Sequence, residues 1–273
     1  MDSPGQQRAW HITTLGAFDA KQALSDIASR AGASGFETTS NQQIAAWSGS
    51  LQLLGGVVAD LIRLRPNAAA WSMLFEYEIP RRQRRIDIVL LADGAIIPIE
   101  LKHGTSQFDR AAVWQAEDYA LELRDFHEPS RDRPILPVLW ATGSDDQPRM
   151  LKGVAMTVCC VGRAGLANAI CERLASHGDS TPSSINAGAW DRGAYRPTPT
   201  IIEATQRLFS QHTVADISHS YADNLTETVS AIERAIKLAR ETQSRVICFV
   251  TGVPGAGKTL TGLAAAHAAQ RAT

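Results

Sequence analysis

The chain has 273 residues, of which 44% are hydrophobic and 20% charged, with a formal net charge of −1. That is about one and a half to two usual domain lengths, and the composition excludes a disordered, collagenous or coiled-coil protein. With no global positive field, a nucleic-acid partner has to be held by local basic patches.

From Gln43 to Arg65, apolar residues at Ile44, Trp47, Leu51, Leu54, Val58, Leu61 and Ile62 recur at spacings of three and four, predicting an amphipathic helix that stops before Pro66. The period then falls to two. Leu74–Ile79, Arg85–Leu91 and Ile96–Lys102 read as strands, the last two joined by Asp93-Gly94, a strong hairpin signal. A helix over Arg110–Phe126, strand-like runs at Ile135–Ala141 and Val154–Val161, and a helix over Ala164–His177 follow. The composition shifts to Ser, Pro, Gly and Asn between Gly178 and Thr200, marking a boundary. Beyond it, helices are predicted over Ile202–Ser210 and Leu225–Arg240, the second with a capping-box pair at Asn224 and Glu227. Arg245–Val250 reads as a short buried strand running into a glycine-rich loop and a further helix. The expected domains are 1–180 (core about 40–178), a linker over 181–200, and 201–273. Cys159, Cys160, Cys171 and Cys248 form no C-x-x-C pair and sit in apolar segments, so reduced buried thiols are expected. The N-terminus lacks a basic start followed by an apolar run, and no run reaches the roughly 18 apolar residues of a membrane span. A cytoplasmic protein with no membrane partner is the expectation.

The hairpin carries the first chemistry. With a two-residue turn at Asp93-Gly94, Ala92 pairs with Ala95, and Asp87 falls opposite Glu100 at a non-hydrogen-bonded position where Cα atoms approach to about 4.5 Å. Pro98 falls opposite Val89, where its missing N–H costs this ladder nothing. Two facing carboxylates repel by roughly 4 kcal/mol at an effective dielectric of about 20, which calls for a cation or a raised pKa. A hard divalent ion resolves this: Mg²⁺ is commonly held by one or two carboxylates plus water and substrate phosphate. Lys102, two residues beyond Glu100, points to the same face. Such a group can bind a phosphodiester, lower the pKa of a bound water and stabilise developing charge.

The pattern RRIDIVLL…IPIELK, an acid on one strand and Glu-x-Lys on the next, resembles the PD-(D/E)xK nuclease superfamily, whose core has the same order of helix, three strands, helix and strand. Gln115 and Tyr119 in WQAEDY are similar to the Q-x-x-x-Y motif of RecB-like members, and residues i and i+4 share a helical face. Ile86 stands where the name-giving proline would be, and Asp60 is only a weak candidate for the additional acid some members carry on the first helix. The resemblance implies a restriction-endonuclease-like α/β core, a mixed sheet flanked by helices. It also implies a Mg²⁺- or Mn²⁺-dependent deoxyribonuclease with Asp87 and Glu100 as metal ligands and Lys102, Gln115 and Tyr119 assisting. Arg81, Arg82, Arg84 and Arg85 just ahead of the strand are either a solvated face or a phosphate-backbone contact.

Gly252 to Thr259 (GVPGAGKT) matches G-x-x-x-x-G-K-[ST] in full. Gly252, Gly255 and Gly257 would free the backbone to cradle phosphates, Lys258 would reach the β- and γ-phosphates of ATP, and Thr259 would ligate Mg²⁺. An acidic strand and a sensing element, which such an ATPase requires, do not follow before Thr273, so a truncated chain without ATP hydrolysis of its own is expected. The stretches YRPTPTIIEATQRLF to VTGVPGAGKTLTGLAAA resemble the start of the ATPase domain in bacterial fusions of a PD-(D/E)xK nuclease with a superfamily 1-like, Schlafen-related DNA/RNA helicase. The resemblance covers approximately residues 35–273 and implies DNA processing, with DNA or RNA as substrate, defence against phage as a role, and a homo-oligomer or partner defence proteins as company.

No G-x-S-x-G, H-E-x-x-H or Cys/His zinc spacing is present. His103 and His127 read as surface or hydrogen-bonding residues, and Trp47, Trp71, Trp114 and Trp140 as packing residues, with base stacking the alternative. Two rivals stay open: a catalytically silent nucleic-acid-binding or docking module that regulates the attached ATPase, and a chain whose phosphate loop is its one functional centre.

Overall fold

The computed structural model describes residues 6–33, 41–80, 84–145, 147–176, 184–196, 222–251 and 258–271. Two compact units divide at Tyr195 and Arg196. The first holds β1 (His11–Thr14), α1 (Ala20–Ala33), α2 (Asn41–Leu64), β2 (Ser72–Ile79), β3 (Arg84–Ala92), β4 (Ala95–Lys102) and α3 (Arg110–Phe126). It continues with β5 (Val138–Ala141), β6 (Arg149–Lys152), β7 (Thr157–Val161), α4 (Leu166–Ser176) and the short α5 (Ala187–Asp191).

A seven-stranded sheet runs β1-β2-β3-β4-β5-β7-β6. The first four strands are antiparallel neighbours, β4, β5 and β7 are parallel, and β6 returns antiparallel on β7. The switch to parallel pairing follows from the connection: a parallel neighbour needs a crossover, and α3 supplies it between β4 and β5. Helices cover both faces. On one, α1, α2 and α4 bury Ile27, Leu54, Leu61 and Ile170 against Phe75, Ile88, Ile97 and Trp140. On the other, α3 lays Tyr119, Ala120 and Leu123 against Leu74, Ile86 and Ile96, and Ala112, Val113 and Ala116 against Leu139 and Val158. The architecture is α/β, with a mixed sheet flanked by helices.

Ile44–Leu64 within α2 is long and apolar enough to cross a membrane by length and composition. In this fold one face of it packs in the core: Leu51, Leu54, Val57, Val58 and Leu61 are buried, while Gln52 and Arg63 face outward.

Asp93 and Gly94 take φ of 46° and 81°, the two positive values of a type I′ turn whose twist matches the flanking strands. Ala92–Ala95 through Val89–Pro98 to Ile88–Ile99 then pair in the expected register. The α3 bounds coincide with the expected ones, and Asp109 caps the helix by accepting from Ala112 N–H at 2.7 Å. The strand expected over Val154–Val161 is shorter: the antiparallel pair β6–β7 turns around Gly153, and the buried Glu117 carboxylate accepts N–H groups of Val154, Ala155 and Met156 at 2.8, 2.6 and 2.6 Å. β1, α1 and β6 have no counterpart among the expected elements.

The segment expected as a linker contributes Asn186–Tyr195 to the first unit. Trp190 is buried against Tyr77 and His127, and the Asp191 carboxylate accepts the Ala9 N–H at 2.7 Å and the Arg8 N–H at 3.2 Å. His127 is fully buried: Nδ1 pairs with Ser130 Oγ at 2.6 Å, and Nε2 with the Trp190 carbonyl at 2.9 Å. Burial first, then the Arg8 charge, pull its pKa down from 6.5 to about 3. The unfolded chain therefore takes up this proton first, and His127 withdraws stability as pH falls from 6.5 toward 3, at up to about 1.4 kcal/mol per pH unit. Thermal melts across that window are expected to show a shallower acid limb for His127→Gln than for the wild type; superimposable limbs would contradict the assignment.

Three cysteines differ in environment from the fourth. Cys159 and Cys160 are buried, Cys171 is half-buried, and Cys248 is exposed, contrary to the expectation of buried thiols throughout. Burial pushes the Cys160 thiol up to about 12, which leaves it inert.

The second unit contains α6 (Ala222–Glu241) and α7 (Lys258–Arg271), which pack together. Helix α6 begins two residues before Asn224, so the expected cap falls inside the first turn. The helix expected over Ile202–Ser210 lies outside the described residues. Arg245–Val250 is not a buried strand: it has no regular structure, and Ile247 and Phe249 are 80% and 87% exposed. A strand exists through hydrogen bonds to its neighbours, and no neighbour stands among this unit's described residues.

Candidate active site

Strand β3 carries Asp87 between two interrupted ladders. On the β4 side, pairing stops at Ile88–Ile99; one position on, where Asp87 was expected directly opposite Glu100, the strands part and Asp87 Oδ2 accepts the Leu101 N–H at 2.7 Å. On the β2 side, Phe75–Ile88 and Tyr77–Ile86 flank a missing rung at Glu76 and Asp87, where Glu76 holds φ at 49°. Residues two apart on a regular strand share a face. Here Phe75 and Ile88 pack under α2, whereas Tyr77 and Ile86 pack under α3. Both strands turn over at this point, and the carboxylates of Glu76 and Asp87 sit at the turnover. A non-glycine residue held at positive φ costs on the order of 1–3 kcal/mol, a strain that concentrates at functional sites.

Glu100, on β4, is 3% exposed. Its Oε1 accepts from Lys102 Nζ at 2.7 Å, while Oε2 is buried without a hydrogen-bond partner. Lys102 Nζ also donates to Gln115 Oε1 at 3.2 Å, and Gln115 Nε2 donates to Tyr119 Oη at 2.9 Å. Glu100, Lys102, Gln115 and Tyr119 thus form one chain from β4 to α3, with Asp87 beside it.

Burial raises the Asp87 pKa well above the usual carboxylate range, reinforced by the charges of Glu100 and Glu76 and opposed by the Leu101 N–H and Lys102. Glu100 is raised by burial too, with the Lys102 hydrogen bond and charge working against it and Glu76 adding to it. Burial likewise raises Glu76, which donors from Arg85 Nε at 2.7 Å and Trp47 Nε1 at 3.0 Å hold in place. Tyr119 is raised by burial and stays a neutral hydrogen-bonding group.

Among the described residues, no group of three or more His, Cys, Asp or Glu is placed to hold a metal. Asp87 and Glu100 alone suit a hard dication that takes its remaining ligands from water and phosphate. The partnerless Glu100 Oε2 and the mutual repulsion of the acids fit such an ion.

Glu76 is the residue that sequence reasoning missed; the available signal was an acid directly after the apolar triplet Met73-Leu74-Phe75 in SMLFEYEI, a strand that carries a second acid at Glu78. His103, read as a surface or hydrogen-bonding residue, is both: it is exposed, and its Nδ1 pairs with Ser50 Oγ on α2 at 3.1 Å. Asp60 does not join the site: it pairs with Arg63 at 2.9 Å on the outer side of α2. Of the basic run, Arg81 and Arg82 lie outside the described residues, Arg84 pairs with Asp118 at 3.3 Å, and Arg85 is turned inward onto Glu76 and the Trp10 ring. Trp114 is 45% exposed beneath the Arg110 guanidinium, whereas Trp140 is buried. In the second unit, Lys258 and Thr259 open α7; Gly252, Gly255 and Gly257 lie outside the described residues.

Comparison with protein-family models, curated proteins and solved structures returned no match for this chain.

Proposed function

We propose that the first unit is a PD-(D/E)xK-type nuclease that hydrolyses phosphodiester bonds in DNA, with Mg²⁺ or Mn²⁺ held by Asp87 and Glu100. The observation that carries this reading is Glu100 itself: a carboxylate 3% exposed, one oxygen on Lys102 and the other without a partner, beside a second acid of raised proton affinity. The ion would act as a Lewis acid on a phosphate oxygen and on the attacking water. Lys102 donates to a non-bridging phosphate oxygen and offsets the charge that grows there. Gln115 holds the ammonium in place through its amide oxygen, and Tyr119 fixes the amide by accepting from its nitrogen.

In the second unit, Lys258 and Thr259 at the first turn of α7 would meet the phosphates of ATP, a nucleotide-binding role beside the nuclease. DNA processing in the cytoplasm, including defence against phage, suits both activities.

Plasmid and single-stranded DNA incubated with Mg²⁺ or Mn²⁺ test the reading. Cleavage is expected to stop in chelator and to fall at least about 100-fold in Glu100→Gln. Cleavage that persists in either condition would remove these acids from the reaction.

A further inference from the structure

A cleft of about 190 Å³ opens beside Asp87, between α1, α2 and the sheet. Trp47 and Phe75 give it aromatic walls, Leu51 and Leu54 line it from α2, and Asp87 and His103 stand among its polar groups. Asp87 carries the metal role assigned above; the rest of this lining has been given none.

The histidine is held from helix α2. Ser50 Oγ lies 2.8 Å from the Ala46 carbonyl and 3.1 Å from His103 Nδ1, and its one proton satisfies both contacts only if it goes to the carbonyl and the ring nitrogen donates to the hydroxyl. In that arrangement the neutral ring carries its proton on Nδ1, and Nε2 keeps a lone pair to accept. Helix α2 also makes room for the ring: a Cβ at Gly49 would lie 2.8 Å from His103 Cε1 and 3.3 Å from Nε2, too close for the ring to stay where it is.

A small, largely apolar slot with aromatic walls and an acceptor suits a flat heteroaromatic ring that carries N–H donors. Its volume lies below the range of pockets for drug-sized ligands, and it is walled by a helix on one side and a sheet on the other, so a single unpaired ring fits and a base pair does not. Its contiguity with Asp87 places such a ring next to the phosphodiester of the proposed reaction.

We propose that this cleft receives one unpaired nucleobase of the substrate strand, flanking the bond to be cut, with His103 Nε2 accepting from a base N–H. The inference rests on the nuclease reading and narrows the substrate to single-stranded DNA, or to duplex from which a base has been extruded at the cost of unstacking.

The test is binding of a fluorescein-labelled single-stranded oligodeoxynucleotide to the full chain in chelator, followed by anisotropy, with one abasic site walked along the strand. Loss of the base that occupies the cleft is expected to weaken binding about ten- to hundred-fold, and the sensitive position is expected to flank the cut mapped with Mg²⁺ on the intact strand. His103→Ala and Gly49→Ala, checked for wild-type melting temperature, are both expected to weaken binding of the intact strand several-fold and to leave the strand abasic at the sensitive position nearly unaffected. Ala46→Phe, which fills the slot, is expected to erase the abasic effect; if it fails to fold, the two smaller variants carry the comparison. Equal affinity for every abasic position, or a His103→Ala penalty equally large on the abasic strand, overturns the proposal. Cleavage is scored separately on the same preparation. An abasic effect without cleavage keeps the pocket and removes the nuclease, whereas cleavage without an abasic effect removes the pocket alone.

Discussion

Asp87→Asn is expected to abolish cleavage and, in the same protein, to raise the melting temperature measured in chelator. Asparagine keeps an oxygen for the Leu101 N–H while removing a negative charge that burial, Glu100 and Glu76 all oppose. Replacing an incompletely compensated buried charge by a neutral isostere stabilises by about 1–3 kcal/mol, which for a unit of this size corresponds to several degrees. The pH dependence follows from the same shift. Because the folded-state pKa of Asp87 is raised, the folded protein binds that proton more tightly than the unfolded chain does. Its contribution is therefore fully present below 3.8 and is lost as pH rises through the higher folded value. The wild type is expected to lose stability over that rise, and Asp87→Asn to lose less. Cleavage should fall by on the order of 10²–10³-fold or more, since the variant gives up a metal ligand. An Asn variant that melts below the wild type in chelator would mean that the acid stabilises the fold and that no charge conflict exists for a cation to relieve.

Lys102→Ala should move stability the other way. It strips Glu100 Oε1 of its cation and leaves a carboxylate 3% exposed with neither oxygen bonded to a side-chain donor. Removing one partner of a buried ion pair costs about 3–5 kcal/mol; Lys102 is itself 31% exposed and Glu100 can take up a proton, so the lower end applies. A drop of several degrees is expected, together with loss of cleavage. Adding Glu100→Gln should restore the melting temperature while leaving cleavage absent, because the double variant removes the orphaned charge without rebuilding the site. Differential scanning calorimetry on the two proteins checks this, and a double variant no more stable than Lys102→Ala would show that Lys102 supports the fold by packing its stem.

Much of the site could be read along the chain. Asp87, Glu100 and Lys102 sit on one hairpin whose pairing is set by a two-residue turn, and Gln115 and Tyr119 lie four apart on a helix with a clear period. These relations are local: turn dihedrals and helical repeat decide them without reference to the rest of the molecule. Even here the ladder ends one pair short of Asp87 and Glu100, because the Asp87 carboxylate takes the Leu101 N–H that a longer ladder would have used.

The sequence by itself determined the hairpin, its register near the turn, the α3 helix and the shared neighbourhood of two acids and a lysine. Only the tertiary structure decided that Glu76 and Asp87 fall at a missing rung where both strands turn over, that Ser50 on α2 pairs with His103, and that Trp190 and Asp191 close the first unit against Tyr77, Ala9 and Arg8. It also decided that Arg245–Val250, apolar as a buried strand would be, stands exposed. The physical reason is common to all four. Each depends on which distant segment docks alongside, and the free energy of that docking comes from burial and cross-chain hydrogen bonds that leave no periodic mark on the residues between.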